Sequence, residues 1–436
     1  MNRDAGSWNR LPRVHATRRI RLVYRTNSLP KPLDEADRLL PYGNGRSYGD
    51  VCLIEDGTLL LTRGLDRFIS FNPETGSICC EAGILLKDIL DLVVPQGWFL
   101  AVTPGTRFVT LGGAIANDVH GKNHHVAGSF GNHVLRFELV RSDGARIICS
   151  HEVNPEWFAA TIGGLGLTGL IAWAEIQLLP IANAGMLTES RRFESLEEFW
   201  EINEERGAKW PYTVAWIDCI AGGRRRGRGI YVAAEHARGC EDLPAWRERS
   251  RSVPIDPPFS LVNAMSLRIF NSIYYRRSSA QQVALAHYVP FFYPLDSVLN
   301  WNRIYGRKGF FQYQCVIPPA ASRDGIEEIM RCIRGSGQGS FLSVLKTFGN
   351  ISSRGMLSFA REGVTFALDF ANHDQSTLKL FEQLDAIVLE AGGAIYPAKD
   401  ARMPSALFRA GFPQWERFST CIDPHFSSSF WRRISS

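Results

Sequence analysis

The sequence predicts an α+β fold that is divided into two domains. Three strand-like segments between residues 58 and 82 precede an amphipathic helix, which Pro95 and Gly97 end. Strands mixed with helices in this way are typical of α+β domains. A chain of 436 residues is also longer than one hydrophobic core usually organises. Pro180, which small residues follow, marks the expected boundary between the two domains.

The composition is that of an ordinary globular protein with a small positive charge. Hydrophobic residues make up 45% and charged residues 21%, and the formal net charge is +5. That charge is too small to indicate nucleic acid, so we predict no nucleic-acid partner. The nine cysteines include no CxxC pair, which argues against a zinc site and a disulfide framework and favours a reducing compartment.

The sequence contains no recognisable export signal or membrane-spanning segment. Seven arginines lie within residues 1–25, but no apolar run of signal-peptide length follows them. A continuous apolar stretch of about eighteen residues is absent as well. We therefore expect a cytoplasmic protein, whose contact with the inner membrane is peripheral.

The most unusual stretch runs from Pro104 to Val134. It is rich in glycine and carries three histidines and one lysine between residues 120 and 125. Glycine at this density is tolerated where the main chain approaches a ligand closely. The run from Gly112 to Ala116 can begin a helix whose first N–H groups attract a phosphate. We predict a cradle for the diphosphate of a cofactor, which continues into a polar reaction chamber.

Two further glycine-rich loops are candidates for the same site. Residues 41–50 read PYGNGRSYGD and offer several N–H donors beside Tyr48, although a plain surface turn is the alternative. Residues 164–169 read GLGLTG and formally match the dinucleotide fingerprint. A helical segment precedes these glycines and a strand follows them, which is the inverse of the fingerprint's order. We therefore predict a helix-to-strand turn, still free to touch a cofactor, and no NAD site.

Two segments of the second domain have more than one interpretation. Residues 222–229 carry four arginines, which either grip a phosphate or nucleic acid or belong to a solvated hairpin loop. Residues 254–279 place aromatic and apolar side chains beside Arg268, Arg276 and Arg277. That mixture suits a membrane surface or a groove for a lipid tail, and ordinary core packing is the alternative.

Two glutamines lie on a predicted strand of the second domain. The segment from Phe311 to Ile317 alternates apolar and polar residues, so Gln312 and Gln314 share one face of the strand. On that face their amides either hold sugar hydroxyls or point to solvent.

Two lysines occupy apolar surroundings. Lys346 lies in the strand predicted for residues 341–348, and Lys399 follows another apolar segment. Burial of an unpaired ammonium group is costly. Lys399 is therefore either a site residue or the partner of Asp400 or the C-terminus in a salt bridge.

The neighbouring histidines 120, 124 and 125 raise the question of a metal. No Glu or Cys stands beside them at ligand spacing, and Gly121 and Asn123 interrupt any helix that would align them. We predict no metal site. For His124 and His125 the expected role is structural, with hydrogen bonds to loop carbonyls.

These motifs together resemble one enzyme family over nearly the whole chain. The resemblance is carried by residues 104–134, by GRSYGD and GLGLTG, and by YPLDSVLNWNRIYG, FQYQCVIP and YPAKDAR later in the chain. It is a resemblance to the flavin subunits of decaprenylphosphoryl-β-D-ribose 2-oxidases, within the vanillyl-alcohol oxidase superfamily. It implies a PCMH-type FAD-binding domain in two parts, residues 1–180 and 393–436. An α+β substrate domain built on an antiparallel sheet would be inserted at residues 181–392.

The resemblance also implies the residues of the site. The implied FAD-binding residues are Gly43, Asn44, Gly45, Arg46, Ser47, Tyr48, Gly49, Gly105, Thr106, Gly112, Gly113, Ala114, Ile115, Asn117, Asp118, His120, Gly121, Lys122, Thr168, Gly169, Leu170 and Tyr396. The implied substrate-binding residues are Gln312, Gln314, Lys346 and Lys399. The catalytic base is one of His120, Tyr48 and Lys399, and the sequence leaves the choice among them open.

Two departures from the family pattern matter. Covalent members of the superfamily often attach FAD through a histidine of the first glycine loop, but residues 43–47 read GNGRS. Non-covalent FAD is therefore expected. The mycobacterial form has an active-site cysteine where this chain has Ala367, and asparagine where this chain has Thr365. Inhibitors that react with that cysteine should fail here.

The resemblance implies oxidation of the 2-hydroxyl of a polyprenylphosphoryl-β-D-ribose to a 2-keto sugar. That reaction is the first half of an epimerisation to polyprenylphosphoryl-arabinose for arabinan and other cell-envelope glycans, and a short-chain NADH-dependent reductase would complete it. One alternative is a soluble sugar-alcohol or aldonolactone oxidase that uses dioxygen. Another is a non-catalytic protein that binds lipid surfaces.

Overall fold

The computed structural model describes residues 5–31, 35–223, 226–239, 246–278 and 280–435. The strands of the first part are β1 (Arg18–Arg21), β2 (Leu39–Tyr42), β3 (Thr58–Leu61), β4 (Phe68–Asn72), β5 (Ser77–Glu81), β6 (Trp98–Leu100), β7 (Val134–Val140), β8 (Arg146–Ser150) and β9 (Leu170–Pro180). Its helices are α1 (Leu86–Val93), α2 (Leu111–Ala116), α3 (His124–Ala127) and α4 (Pro155–Thr161).

These strands form two sheets. β1, β3 and β2 pair in parallel in that order. The larger sheet is antiparallel with the order β4-β5-β9-β7-β8, and β6 pairs with the far end of β9. β9 is central because Ala174, Ile176 and Leu178 alternate with less buried residues and enter one hydrophobic core. The glycine-rich stretch leaves this sheet as α2 and the loop that follows it.

A second group of elements follows Pro180. Its strands are β10 (Gly185–Phe193), β11 (Tyr212–Ile217), β12 (Gly229–His236), β13 (Arg251–Ser252), β14 (Gln281–His287), β15 (Val298–Leu299), β16 (Phe310–Ile317), β17 (Val344–Phe348), β18 (Gly363–Ala371) and β19 (Ala394–Ile395). Its helices are α5 (Leu196–Gly207), α6 (Ala264–Arg277), α7 (Tyr288–Phe292), α8 (Ser322–Ser336) and α9 (Gln375–Glu390).

Eight of these strands form one antiparallel sheet in the described chain. Their order is β14-β10-β12-β11-β17-β18-β16-β19, and β13 pairs with β15 outside it. One face of the sheet packs against α5, α8 and α9, and Tyr313, Leu345 and Phe366 are buried there. Because side chains alternate along a strand, the residues between them point to the opposite face. Gln312, Gln314 and Lys346 lie on that opposite face.

The last part of the chain connects the two groups of sheets. β19 still pairs with β16, and α10 (Ser405–Gly411), α11 (Trp415–Ser419) and α12 (Ser429–Ser435) follow it. Leu39 of β2 exchanges backbone hydrogen bonds with His425 and Ser427. Arg433 on α12 forms ion pairs with Asp50 at 2.8 Å and Asp400 at 2.9 Å. The domain limits at residues 180 and 392 stay predictions.

The mixture of helices and antiparallel sheets confirms the predicted α+β class. The strand predicted for residues 341–348 is shorter than expected, since β17 begins at Val344. Before it, the Phe341 carbonyl accepts a hydrogen bond from the Trp216 indole at 2.8 Å, outside the strand ladder. No helix in the described ranges is long and apolar enough to cross a bilayer.

Candidate active site

A large cavity lies between the first sheets and the open face of the eight-stranded sheet. Its volume is about 870 Å³, near the upper end of the range of about 300–1,000 Å³ for ligand pockets. The predicted site residues that line it are Gly43, Asn44, Gly45, Arg46, Ser47, Tyr48, Gly105, Thr106, Gly112, Gly113, Asn117, His120, Gly121, Lys122, Gly169, Leu170, Gln312, Gln314, Lys346, Tyr396 and Lys399. The structure thus brings both the expected cofactor residues and the expected substrate residues to one chamber.

Five of the predicted cofactor residues lie outside the cavity wall, and they are Gly49, Ala114, Ile115, Asp118 and Thr168. Ala114 and Ile115 point from α2 into the hydrophobic core, which explains why a helix can line a site with only some of its residues. The Thr168 hydroxyl is paired with that of Thr161 at 2.9 Å. Gly49 has no room for a side chain, because a Cβ would lie 1.5 Å from the Asp400 carbonyl oxygen.

Asp118 is a structural anchor behind the cavity. Its carboxylate accepts hydrogen bonds from the Ser129 and Ser358 hydroxyls, at 2.8 and 2.5 Å, and from the Gly131 N–H at 2.7 Å. Burial raises the pKa of Asp118, and these donors oppose the rise. The carboxylate therefore joins the loop after α2 to the chain near residue 358 and stabilises the backbone that carries His120.

Two glycine loops form one end of the cavity. The Asn44 side chain donates a hydrogen bond to the Phe108 carbonyl at 2.7 Å, which joins the loop of residues 43–47 to the loop of residues 105–110. A Cβ on Gly43 would lie 2.5 Å from the Thr110 hydroxyl, whereas a Cβ on Gly105 would meet no atom within 4 Å. The loops are therefore packed on each other but open toward the chamber, as a close approach to a ligand requires.

An arginine and two aromatic rings complete this end. The Arg46 guanidinium lies 4.3 Å from the centre of the Trp8 ring and 5.5 Å from that of Phe108. Stacking of this kind fixes the cation while its edge can still donate hydrogen bonds. Trp8 and Phe108 both line the cavity. The sequence did not predict them as site residues, because no local pattern connects residue 8 to a loop near residue 108.

A hydrogen-bonded chain surrounds His120 at the centre of the cavity. The Lys346 ammonium group lies 3.2 Å from His120 Nδ1, and the Gln314 amide lies 2.9 Å from His120 Nε2. Gln314 also donates to the Thr365 hydroxyl at 3.1 Å. Burial, with the Lys346 charge, holds the pKa of His120 well below its usual value. His120 is thus a neutral ring with both nitrogens engaged by protein groups.

Gln314 corrects one interpretation of the sequence. The alternative to a site role was exposure to solvent, but Gln314 is only 3% exposed and faces the chamber. Ala367 lies opposite it in the sheet register and also lines the cavity, so the wall has no thiol at this position.

Three lysines give the cavity a cationic wall. Burial lowers the pKa of Lys122 and of Lys346 to about 7 each, and for Lys122 the Lys346 charge adds to that effect. Lys122 donates to the Phe291 carbonyl and stands 4.1 Å from the centre of that ring. Burial also lowers the pKa of Lys399, and the Asp369 charge opposes the change. An anionic ligand would restore the protonated forms of all three.

Lys399 does not form the salt bridge with Asp400 that the sequence left open. Its ammonium group stands 3.6 Å from the centre of the Tyr48 ring and faces the cavity. The Asp400 carboxylate instead bonds Arg433 and the backbone N–H groups of Arg402 and Met403. Consecutive residues thus serve different purposes, one in the chamber and one in the packing of the C-terminal segment.

The histidines beside the cavity have different surroundings. His125 Nε2 lies 2.9 Å from the Trp210 carbonyl, in agreement with the expected structural hydrogen bond. For His124 that expectation is wrong, since neither ring nitrogen has a hydrogen-bond partner among the described residues. Its ring packs 4.6 Å from Phe348 instead. The described residues contain no group of three His, Cys, Asp or Glu side chains that could hold a metal.

The two remaining motifs are positioned as follows. GLGLTG lies between α4 and β9, which is the predicted helix-to-strand turn, and Gly166 and Gly169 reach the cavity.

In the basic run of residues 222–229, Arg224 and Arg225 lie outside the described residues. Arg226 pairs with Glu327 at 3.1 Å and Arg228 with the buried Asp218 at 2.8 Å. The arginines of this run that are described are therefore engaged in ion pairs within the protein.

The cavity suits the FAD expected from the motifs. Bare main chain at Gly105 opens to the chamber, and cationic side chains line the same chamber. The buried Asn117 Oδ1 has no hydrogen-bond partner within the described part of the chain, although its amide donates to the Gly113 carbonyl. An unpaired buried acceptor in a cavity wall is explained by a ligand that donates to it.

Comparison with known proteins agrees with this geometry. Residues 33–150 match the model of an FAD binding domain family. The chain is 34% identical to the decaprenylphosphoryl-beta-D-ribose oxidase of Mycolicibacterium smegmatis, over 90% of this chain and 88% of that protein. It is 32% identical to an uncharacterized protein of Streptomyces coelicolor, over 80% of this chain and 100% of that protein. The L-gulonolactone oxidase of Mus musculus is 29% identical over 32% of this chain and 31% of its own.

Fold, site and similarity define an FAD-dependent oxidoreductase with a PCMH-type FAD-binding domain. Within that class, the chain belongs to the decaprenylphosphoryl-β-D-ribose oxidase family. Both statements agree with the resemblance that its motifs indicate.

Proposed function

We propose that this protein oxidises the 2-hydroxyl of a polyprenylphosphoryl-β-D-ribose to the 2-keto sugar. Bound FAD supplies the acceptor for the hydride that leaves the sugar. The observation that carries the proposal is the continuity of the cavity, which joins a glycine cradle, a wall of three lysines and a group of apolar lining residues that are partly exposed to solvent, Phe270, Tyr274, Val298 and Leu299. A lipid-linked sugar phosphate has a part for each of the last two regions, and the family relationship supports the same substrate.

The lysines provide the recognition of the phosphate. Lys122 and Lys346 line the cavity on the side of His120, and their pKa values of about 7 mean that each is only partly charged at neutral pH. A phosphate placed between them favours their protonated forms and gains strong hydrogen bonds. Gln312 and Gln314 then face the sugar from the same wall.

We assign the role of the base to Lys399. His120 is held at both ring nitrogens by Lys346 and Gln314, which leaves no free lone pair for a substrate. Burial holds the pKa of Tyr48 well above its ordinary value, so its phenolate is scarce. The Lys399 side chain faces the cavity without a hydrogen bond to any described residue, and burial lowers its pKa toward the range of a general base. The proton of the substrate hydroxyl moves to its Nζ atom.

FAD is expected to be held without a covalent bond. Cys52 lines the cavity, but burial raises the pKa of its thiol to about 12, which makes it a poor nucleophile. His120 is engaged in the chain of hydrogen bonds described above. Full release of flavin on acid denaturation is the result that checks this assignment.

A membrane contact fits the exposed face of α6. Met265, Ile269 and Ile273 follow one another at helical spacing and are 71%, 54% and 53% exposed. Arg268, Arg276 and Arg277 are exposed on the same helix. Exposed apolar residues beside arginines are typical of helices that lie on anionic lipid surfaces.

The same helix is fixed to the protein by polar groups. Asn271 donates to the buried Asp218 at 2.7 Å, and the Tyr275 hydroxyl donates to Glu194 at 2.6 Å. Phe270 and Tyr274, on the next rows of the helix, line the cavity and are 43% and 44% exposed. We propose that the lipid chain of the substrate leaves the cavity past these two rings into the membrane. The exposed apolar residues Met265, Ile269 and Ile273 would then lie on the lipid surface.

Aspartate in place of both Ile269 and Ile273 should weaken binding to vesicles of mixed anionic and neutral phospholipid by about tenfold or more, because two apolar contacts are lost. Flotation of the FAD-loaded protein with vesicles measures the effect. Leu389→Asp on α9 is the matched control, since Leu389 is 49% exposed on a helix away from the cavity. Equal binding by both variants would assign the α6 face to another purpose.

The keto product needs a hydride donor if the reaction is to end as an epimerisation. We assign that step to a short-chain NADH-dependent reductase, on the basis of the family resemblance. NADH consumption that requires both proteins and the ribose substrate is the check on this partner.

The test of the function is reduction of the bound flavin under anaerobic conditions. Polyprenylphosphoryl ribose should bleach the flavin absorbance, whereas free alditols and aldonolactones should not. The opposite pattern would indicate an aldonolactone or sugar-alcohol oxidase. Protein purified without flavin absorbance, and unable to take up FAD, would indicate a binding protein.

A further inference from the structure

A buried carboxylate lies beside the substrate residues on the open face of the eight-stranded sheet, outside the lining of the cavity. Asp369 on β18 is fully buried, and its Oδ1 atom accepts a hydrogen bond from the Gln312 amide at 2.6 Å. The strand register places these two residues opposite each other. The backbone N–H of Asp369 donates to the Ser340 hydroxyl at 2.9 Å. The second carboxylate oxygen, Oδ2, has no hydrogen-bond partner among the described residues.

The charge of Asp369 is not neutralised by a direct ion pair. In the described chain no cation lies within salt-bridge distance of it, and Lys399 is the cation whose charge opposes the rise that burial causes in the pKa of Asp369. In return, the Asp369 charge raises the pKa of Lys399, against burial and the Lys346 charge. The two charges therefore act on each other without direct contact, and the Lys399 ammonium group lies over the Tyr48 ring.

The other titratable groups around this pair are Lys346 and His120 on the side of Lys399, and two tyrosines. Burial holds the pKa values of Tyr48 and Tyr305 well above normal, and the Asp369 charge raises both pKa values further. The Tyr305 hydroxyl has no hydrogen-bond partner in the part of the chain that the structure describes. A buried charge with so few partners is expensive to maintain. Such an arrangement is expected where the charge serves a site.

We propose that Asp369 is a positioning residue for the oxidation, which fixes the Gln312 amide in the cavity wall and balances the charge that Lys399 gains with the substrate proton. This role rests on the proposed function, since it requires Lys399 to act as the base. In the step, the sugar hydroxyl loses its proton to Lys399 Nζ, and FAD, when bound, would supply the acceptor for the hydride from the carbon that bears this hydroxyl. The lysine becomes an ammonium ion, and the Asp369 carboxylate is the anion placed to stabilise it.

Asp369→Asn in the FAD-loaded protein tests the role in turnover. The amide keeps the size of the side chain and an acceptor for Gln312, but it removes the charge that favours the ammonium form of Lys399. The acidic limb of the pH profile for flavin reduction should therefore move to lower pH by about one unit or more. The rate on the plateau should fall, because the ammonium ion that forms is no longer balanced.

Asp385→Asn is the matched control, since Asp385 is a buried carboxylate on the opposite face of the same sheet. Its acidic limb should stay in place. An unshifted limb in Asp369→Asn, with flavin reduced by the ribose substrate as in the unaltered protein, would overturn the inference. If the unaltered protein is not reduced by that substrate at all, the proposed function fails instead.

A second measurement needs neither the substrate nor a folded Asp369 variant. In Lys399→Met the carboxylate loses its cation, so Asp369 should be protonated at mildly acidic pH, where Lys399 of the unaltered protein still carries its proton. Infrared spectra of protein with isotopically labelled aspartate should show a protonated carboxyl band in Lys399→Met that the unaltered protein lacks at that pH. Absence of this band would overturn the coupling of the two residues, whatever the substrate proves to be.

Discussion

Lys399→Met should reduce the rate of flavin reduction by substrate about 10²–10⁴-fold, the usual contribution of a general base, while FAD stays bound. Methionine matches the length of lysine and replaces a buried, poorly solvated amine with an apolar group, so the fold should tolerate it. Stopped-flow measurement of flavin bleaching gives the rate, and the flavin-to-protein absorbance ratio gives the occupancy.

The pH dependence of the unaltered protein follows from the same residue. Burial lowers the pKa of Lys399, and only the neutral amine accepts a proton, so activity should rise with pH as this lysine loses its proton. The methionine variant should lack this limb. Lys379→Met, at an exposed position of α9, is the control and should behave like the unaltered protein.

His120→Ala distinguishes the base from its neighbours. The histidine positions Lys346 and Gln314, so its loss should slow the reaction by loosening them, and it should leave the acidic limb in the profile. A loss of the limb in His120→Ala, with the limb retained in Lys399→Met, would transfer the role of the base to the histidine.

The glycine cradle and the lysines could be found in the sequence because their signals are local. A dense run of glycines beside histidines is unusual within a few residues, and a lysine in an apolar strand contradicts its surroundings. The sequence likewise predicted that Gln312 and Gln314 share one face of β16, because the side chains of a strand alternate with a period of two residues. The alternation did not show which face of the sheet is covered, because that depends on the helices that pack against the face opposite the two glutamines.

Asp369 could not be assigned from the sequence for a related reason. It is the one charged residue in the segment from Val364 to Phe370, which is a signal, but its meaning depends on partners elsewhere. Gln312 reaches it through the register of β16 with β18, and Lys399 through the chain after β19. Tertiary pairings of this kind leave no mark on local spacing, and the same holds for Trp8 beside Arg46.

Gly105→Glu should produce a folded protein that has lost its flavin. Gly105 lines the cavity, and a Cβ at this position would meet no atom within 4 Å, so the side chain enters open space. We assign that space to the FAD diphosphate, where a carboxylate adds volume and a like charge. The expected loss of FAD affinity is at least about 100-fold, or ~2.7 kcal/mol.

Three variants separate the causes of that loss. Gly105→Gln has nearly the shape of the glutamate variant without its charge, and it should retain more flavin if repulsion of the diphosphate dominates. Gly335→Glu, at an exposed position of α8 where a Cβ also meets no atom within 4 Å, controls for the added charge and should keep full occupancy. Gly105→Ala should bind FAD nearly normally. Full flavin content in Gly105→Glu would exclude the loop of residues 105–110 from the cradle and leave residues 43–47 as its main part.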